Sequence, residues 1–241
     1  MGEERSRFRL GVAYGLAAYG WWGLMPLYIR ALDAVSPWEI LAHRIVQSFL
    51  LLLVIMTLFG RWSDFIRILR TPRILLALSC SAILVAVNWI IYIYGVTSNQ
   101  TVETSLGYFT NPLFSVFLGL VFFRERLRPG QWLAISLAAS GIGYLLVQVA
   151  GPPWIALGIA FSFGLYGLIR KITPVDAVIG LGVETLLLSI PALTYLIFLG
   201  FQGTLAFGGK NMTLNTLIVA GGIVTAVPLI CFGNAARRLP L

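Results

Sequence analysis

The sequence is poor in charge, in histidine and in cysteine, and each shortage removes a class of protein. Charged residues are only 11% of the 241, where a soluble domain carries about 25%. So few charges cannot cover a water-facing surface, which excludes an ordinary soluble domain. The single histidine, His43, joins no recognisable nucleophile or metal set. No glycine-rich phosphate loop lies between a strand and a helix, and no nucleotide-binding motif is present. The residues therefore predict no enzyme, no metal, no cofactor and no ATP engine. The two cysteines, Cys80 and Cys231, lie inside apolar runs without metal-ligand spacing, and are expected as buried small hydrophobes. Acidic residues are scarce too, which leaves a net charge of +8. The arginines form no patch or stripe, so nucleic acid is not the expected partner.

What is abundant is apolar length. Hydrophobic residues are 59% of the chain. They fall in runs of about 20, apolar on every side, the length that crosses ~30 Å as a helix. Outer-membrane strands would instead be ~10-residue segments of alternating polarity. The predicted fold is an all-α polytopic membrane protein with the lipid bilayer as partner. Eight spans are expected, at 10–29, 38–59, 74–96, 102–123, 131–149, 154–170, 177–199 and 214–234. The first run is too long for a signal-peptide core and lacks a small-x-small cleavage site, so it reads as a retained helix. Between spans two and three, Trp62, Phe65, Ile66 and Leu69 recur at helical spacing among arginines. That predicts a short helix lying in the interface, with an irregular loop as the alternative.

Orientation follows from lysine and arginine. With the N-terminus in the cytoplasm, the inner side receives 14 of them and the outer side only Arg30 and Lys210, Arg44 being inside a span. That asymmetry predicts a cytoplasmic N-terminus. Trp38, Trp62, Trp132 and Trp154 fall at span ends, as interface anchors do.

The chain also repeats weakly. Gly20-Trp21-Trp22-Gly23-Leu24 resembles Gly164-Leu165-Tyr166-Gly167-Leu168, 144 positions on, and Gly60 and Ala86-Val87 match Gly200 and Ala226-Val227 at an offset of 140. A repeat of five spans is odd, so the second copy is inverted, a transporter arrangement. The expected organisation is residues 1–150 as the first repeat and 151–241 as three of five helices of the second. Completion would need two more helices, roughly 50 residues by the repeat period. The 241-residue form is therefore expected to be incomplete, and to insert without transporting.

The stretches Leu106-Gly107-Tyr108-Phe109-Thr110-Asn111-Pro112-Leu113, Leu118-Gly119 and Glu125-Arg126-Leu127 resemble the fourth helix of an EamA-type transporter domain, of the drug/metabolite transporter superfamily. Leu41-Ala42-His43-Arg44, Asn88-Trp89, the run from Phe161 to Lys171 and Gly222-Ile223-Val224-Thr225-Ala226-Val227-Pro228 narrow the resemblance to the RarD branch. It covers nearly the whole chain. It implies ten helices in two inverted halves and a permease for a small-molecule substrate, acting as an exporter, and it supplies neither the substrate nor the oligomeric state. The competing readings are a non-transporting membrane scaffold or sensor and, less favoured, a membrane-embedded enzyme.

Ionisable residues at depth are the best markers of a site, since each costs at least ~2.5–3.5 kcal/mol at a helix centre unless paired or hydrated. Arg44 and Glu184 are such residues, equivalent under the 140 offset. They are expected either to pair or to face one cavity. Arg44 is expected to face the interior, beside Asn88, Asn111, Glu184 or a hydrated cavity. Glu39, His43 and Gln47 share one face of span two at i, i+4, i+8. His43 titrates near neutral pH when unperturbed, which opens proton coupling, with a hydrogen-bonded helix contact as the equal alternative. Glu103, Gly107 and Asn111 share the same spacing on span four, next to Pro112, whose ring kinks the helix and frees a carbonyl. Trp22, Trp89, Tyr92, Tyr108 and Tyr166 are deep aromatics. They suit the walls of a cavity for an aromatic or amphipathic solute, or packing alone.

Overall fold

In a computed structural model that describes residues 2–124, 126–148 and 152–239, the chain is a bundle of helices, with no strand among the described residues. Glu125, the expected repeat junction at 150/151 and the last two residues lie outside that range.

The first expected span is broken in two. Helix α1 runs Gly2–Gly23 and α2 runs Met25–Arg30. Pro26 sits in the first turn of α2. Proline brings no N–H and its ring crowds the carbonyl four residues back, which kinks or breaks a helix; here the break falls at Leu24, while Pro112, Pro191 and Pro228 are accommodated inside their helices. Helix α3, Pro37–Leu58, starts where Ser36 caps it, its hydroxyl accepting from the Glu39 N–H at 3.2 Å with Pro37 in the first turn. The interface segment is a helix, α4, Trp62–Leu69. It buries Phe65 and Ile68 and leaves Trp62 and Ile66 exposed. Then come α5, Pro72–Thr97; α6, Thr101–Phe122; α7, Pro129–Val147; and α8, Trp154–Ile172. Helix α9, Ala177–Gln202, is capped by the Asp176 carboxylate on the Val178 N–H at 3.0 Å, and closes on Gly203 at φ 69°. Helix α10, Met212–Ala236, is capped by Asn211.

Six of these helices, α3, α5, α6, α8, α9 and α10, are long and apolar enough to cross a membrane. Helix α3 packs on α9 and α10, α5 on α8 and α9, α6 on α8 and α7, and α1 on α10. With no hydrophobic drive between helices in lipid, close approach depends on small residues. A Cβ on Gly222 would stand 2.6 Å from the Gln47 carbonyl oxygen, so only glycine lets α10 lie this close to α3. Leu16, Leu50, Val54, Leu76, Phe201 and many other large apolar side chains remain exposed on the outside of the bundle, as lipid contact requires. Cys80 departs from the expected burial. It is exposed on α5, while Cys231 is half-buried, and both are free. In lipid an outward face is as apolar as the interior, so a thiol among apolar neighbours is no sign of burial.

Candidate functional site

Two buried charges, each two turns into its helix, α3 and α9, organise the interior. Arg44, two turns into α3, is only 3% exposed. Its Nε donates to the Thr225 hydroxyl of α10 at 2.9 Å, and the guanidinium carbon stands 5.3 Å from the Trp89 ring centroid. Its Nη1 has no hydrogen-bond partner, and Arg44 has no ion pair, among the described residues. Beside it the Ser48 hydroxyl donates to the Arg44 carbonyl within α3 at 2.6 Å and reaches the Gly222 carbonyl of α10 at 3.4 Å.

Glu184 is fully buried. It accepts from Ser81 of α5 at 2.5 Å and from Tyr166 of α8 at 3.4 Å, and pairs with Arg170 Nη1 at 3.6 Å. Arg44 and Glu184 therefore do not pair with each other. Arg44 faces the interior as expected, but its hydrogen-bond partner is Thr225 rather than Asn88, Asn111 or Glu184, the residues named as candidates beside a hydrated cavity. Arg170, which reads from sequence as an inner-loop charge, is 3% exposed. A Cβ at Gly180 would occupy the space its guanidinium fills, so glycine on α9 makes room for it.

The other polar candidates hold helices and loops. Glu39 is buried at the start of α3 and accepts from the Ala206 N–H at 2.8 Å, with His43 Nε2 at 3.5 Å from the same oxygen. The His43 ring packs on Phe207 at 5.4 Å. Together they fasten the 203–211 segment over the end of α3. Gln47 is half-buried at the α3–α10 contact. Asn88 donates to the Ile159 carbonyl at 3.1 Å and the Ser162 hydroxyl at 3.0 Å, joining α5 to α8. Glu103 accepts from the Ile155 N–H at 2.8 Å, placing a carboxylate at the positive N-terminal end of α8.

Two cavities lie along the groove between α1 and α6. The first, of about 380 Å³, is walled by Trp22 and Pro26, by Tyr92 and Val96 of α5, and by Thr101, Thr104, Tyr108 and Pro112 of α6. The second, of about 250 Å³, is lined by Gly15, Asn111, Ser115, Phe163, Phe232 and Ala235. Tyr19 and Pro112 line both. Tyr92 and Tyr108 meet edge to face at 5.8 Å, and Trp22 meets Tyr19 at 5.4 Å and Phe163 at 5.3 Å. Thus Trp22, Tyr92, Tyr108 and Asn111 line space. Trp89 lies over Arg44 instead, and Tyr166 stacks near Phe232 and bonds Glu184. Sequence reasoning missed Tyr19, Tyr28, Ser81, Arg170 and Thr225. Nothing in the sequence pattern marked Tyr28 or the hydroxyls.

A bundle of membrane-length helices around aromatic cavities is the architecture of a multi-pass membrane transporter, and similarity to known proteins agrees. The EamA-like transporter family matches residues 9–147. An "Uncharacterized transporter" of Vibrio cholerae is 44% identical over 241 residues, 100% of this chain and 80% of that one. Protein RarD of Escherichia coli is 43% identical over 238 residues, 99% of this chain and 80% of that protein. The "Uncharacterized transporter YojE" of Bacillus subtilis is 37% identical over 241 residues, again covering 80% of its length. No solved structure matches. The chain belongs to the EamA-like transporter family, in its RarD branch.

Proposed function

We propose that this protein is a secondary transporter of the bacterial inner membrane. It exports a small organic metabolite or drug-like compound by alternating access, its N-terminus in the cytoplasm. The observation that carries this reading is the pair of cavities meeting at Tyr19 and Pro112. The first is lined by residues near the 30–36 and 97–100 connections. The second reaches toward the end of α10. Two chambers on one groove, narrowed where they meet, give a solute a path with a waist. Trp22, Tyr92 and Tyr108, backed by Arg44, form the substrate site, and Asn111 serves the second chamber. His43 is the candidate for proton coupling, through its pair with Glu39.

The inverted repeat supports the rocking motion in this proposal. With α1, α3 and α5 equivalent to α8, α9 and α10, the packing is reciprocal. Helix α1 lies on α10 as α8 lies on α5, α3 lies on α10 as α9 lies on α5, and α3 meets α9. The polar bonds repeat the pattern, Arg44 of α3 to α10 and Glu184 of α9 to α5.

The test is an untargeted comparison of metabolites outside cells with the protein, without it, and with Tyr19→Trp filling the waist. One or more solutes should accumulate outside only with the unaltered protein, while the variant remains in the membrane at a similar amount. Equal export by all three strains would overturn the reading and favour a non-transporting scaffold.

A further inference from the structure

We infer that the solute of the first cavity is an organic anion, a carboxylate on an aromatic or similarly apolar body, recognised by Arg44 together with the Tyr92 hydroxyl. This rests on the transporter reading and adds the substrate class.

The inference comes from accounting for charge in the interior. Each buried carboxylate among the described residues already has partners. Glu39 has the Ala206 N–H and His43, Glu103 has the first turn of α8, and Glu184 has Arg170, Ser81 and Tyr166. Arg170 in turn has Glu184. Of the two buried arginines among the described residues, Arg44 alone has no carboxylate partner, and a guanidinium cannot shed its proton to escape an apolar interior. A hydroxyl and the face of an indole solvate it without neutralising it. Its Nη1 is buried without an acceptor, and so is the Tyr92 hydroxyl. Tyr92 also lines the first cavity. Arg44 does not itself line the cavity; it lies on Trp89 of α5, one helical turn before the lining Tyr92, so a carboxylate seated past the Tyr92 ring is placed to accept from an unused phenol and an unused cationic donor.

The cavity wall argues the same way by what it holds. None of the residues lining it is acidic or basic. A cationic solute would find no carboxylate there and would face the Arg44 charge. A neutral solute would leave that charge uncompensated. Trp22, Tyr19, Tyr108 and Phe109 offer ring faces to the rest of the molecule. About 380 Å³ fits a small ligand of this kind.

The test is equilibrium binding to the purified protein in lipid nanodiscs. Radiolabelled benzoate, phenylacetate and indole-3-acetate are the probes, each competed by its own neutral amide, with tryptamine as the cation. At least one acid should bind saturably and be displaced at least ten-fold less well by its amide, and less well still by tryptamine. Arg44→Gln should weaken that acid at least ten-fold and abolish its advantage over the amide. Arg44→Lys should keep part of the advantage. Tyr92→Phe, which removes one oxygen and keeps the ring, should weaken the acid several-fold and the amide little, and it decides the matter if Arg44→Gln does not fold. Failure of all three acids to bind, equal displacement by the amides, or an undiminished acid preference in Arg44→Gln or in Tyr92→Phe would overturn the inference. Export of a neutral solute in the metabolite comparison would leave the transporter reading standing while removing this one. Acid-selective binding without export would do the reverse.

Discussion

Arg44 and Glu184 each lie buried two turns into helices that pack on each other, yet the protein treats them differently. Around Glu184 every oxygen is engaged, by Ser81 at 2.5 Å, Tyr166 at 3.4 Å and Arg170 at 3.6 Å. Around Arg44 one nitrogen is bonded to Thr225, the plane is covered by Trp89, and Nη1 is unused among the described residues. Arg170 Nε and Nη1, like Arg44 Nη1, lack hydrogen-bond partners among the described residues, but the Arg170 charge is paired with Glu184, and a buried pair fixes helices relative to one another because removing one member leaves the other uncompensated. An incompletely satisfied charge stores unspent interaction, to be completed by something that arrives. The contrast separates a clamp from a recognition group, although depth and apolar surroundings are shared.

The largest expected effect lies at the clamp. Arg170→Met removes the only cation beside Glu184 among the described residues. Breaking a buried pair from one side costs about 3–5 kcal/mol. The expected outcome is a sharp fall in the melting temperature of the purified protein and in the amount found in the membrane. A melting curve matching the unaltered protein would show that the pair is not a clamp. Next comes the seam both sites lean on. Gly222→Ala places a methyl against the Gln47 carbonyl, and overpacking of this kind costs about 1–3 kcal/mol. It should lower both melting temperature and transport, since α10 carries Thr225 away from Arg44. Thr225→Val is smaller and more selective. It removes one hydrogen bond worth about 1.5–3 kcal/mol to a charged donor, and should change solute affinity more than the amount of folded protein. If Thr225→Val and Arg170→Met behave alike, the two regions are not different in kind. The smallest effect is expected for Tyr166→Phe. Its bond to Glu184 is long, at 3.4 Å, so less than about 1 kcal/mol should be lost, with transport unchanged. Topology is checked separately: cysteines placed at 100 and at 238 should react with a membrane-impermeant reagent from opposite sides.

Run length and spacing made much of this fold legible. Apolar runs located α3, α5, α6, α8, α9 and α10, and the Trp62–Phe65–Ile66–Leu69 pattern located α4. Pro26 carried the information that the first run breaks, but a window of 20 apolar residues averages over a single residue. The deep charges were legible because they are rare. Their partners were not, because hydroxyls in such helices usually bond their own preceding carbonyls, as Thr185, Ser189 and Thr194 do. Nothing local says that Ser81 and Thr225 turn across to another helix. Asn88 looked like a cavity residue and instead joins α5 to α8. Arg170 looked like a loop charge because it lies in the last turn of α8. Only the bare backbone at Gly180 reveals that its head is taken inward.

The two prolines at the first cavity have a consequence for genetics. Pro26 brings no N–H to the carbonyl of Trp22, and Pro112 brings none to the carbonyl of Tyr108. All four residues line that space. Two main-chain carbonyls without their usual helical donor thus belong to residues of that wall. An alanine scan of the lining would change every ring and hydroxyl in turn and leave these acceptors untouched at all positions except the prolines themselves. A screen for loss of function would then score Pro26 and Pro112 as structural hits. Their variants would be set aside as folding defects, although part of what they alter is the chemistry offered to the solute.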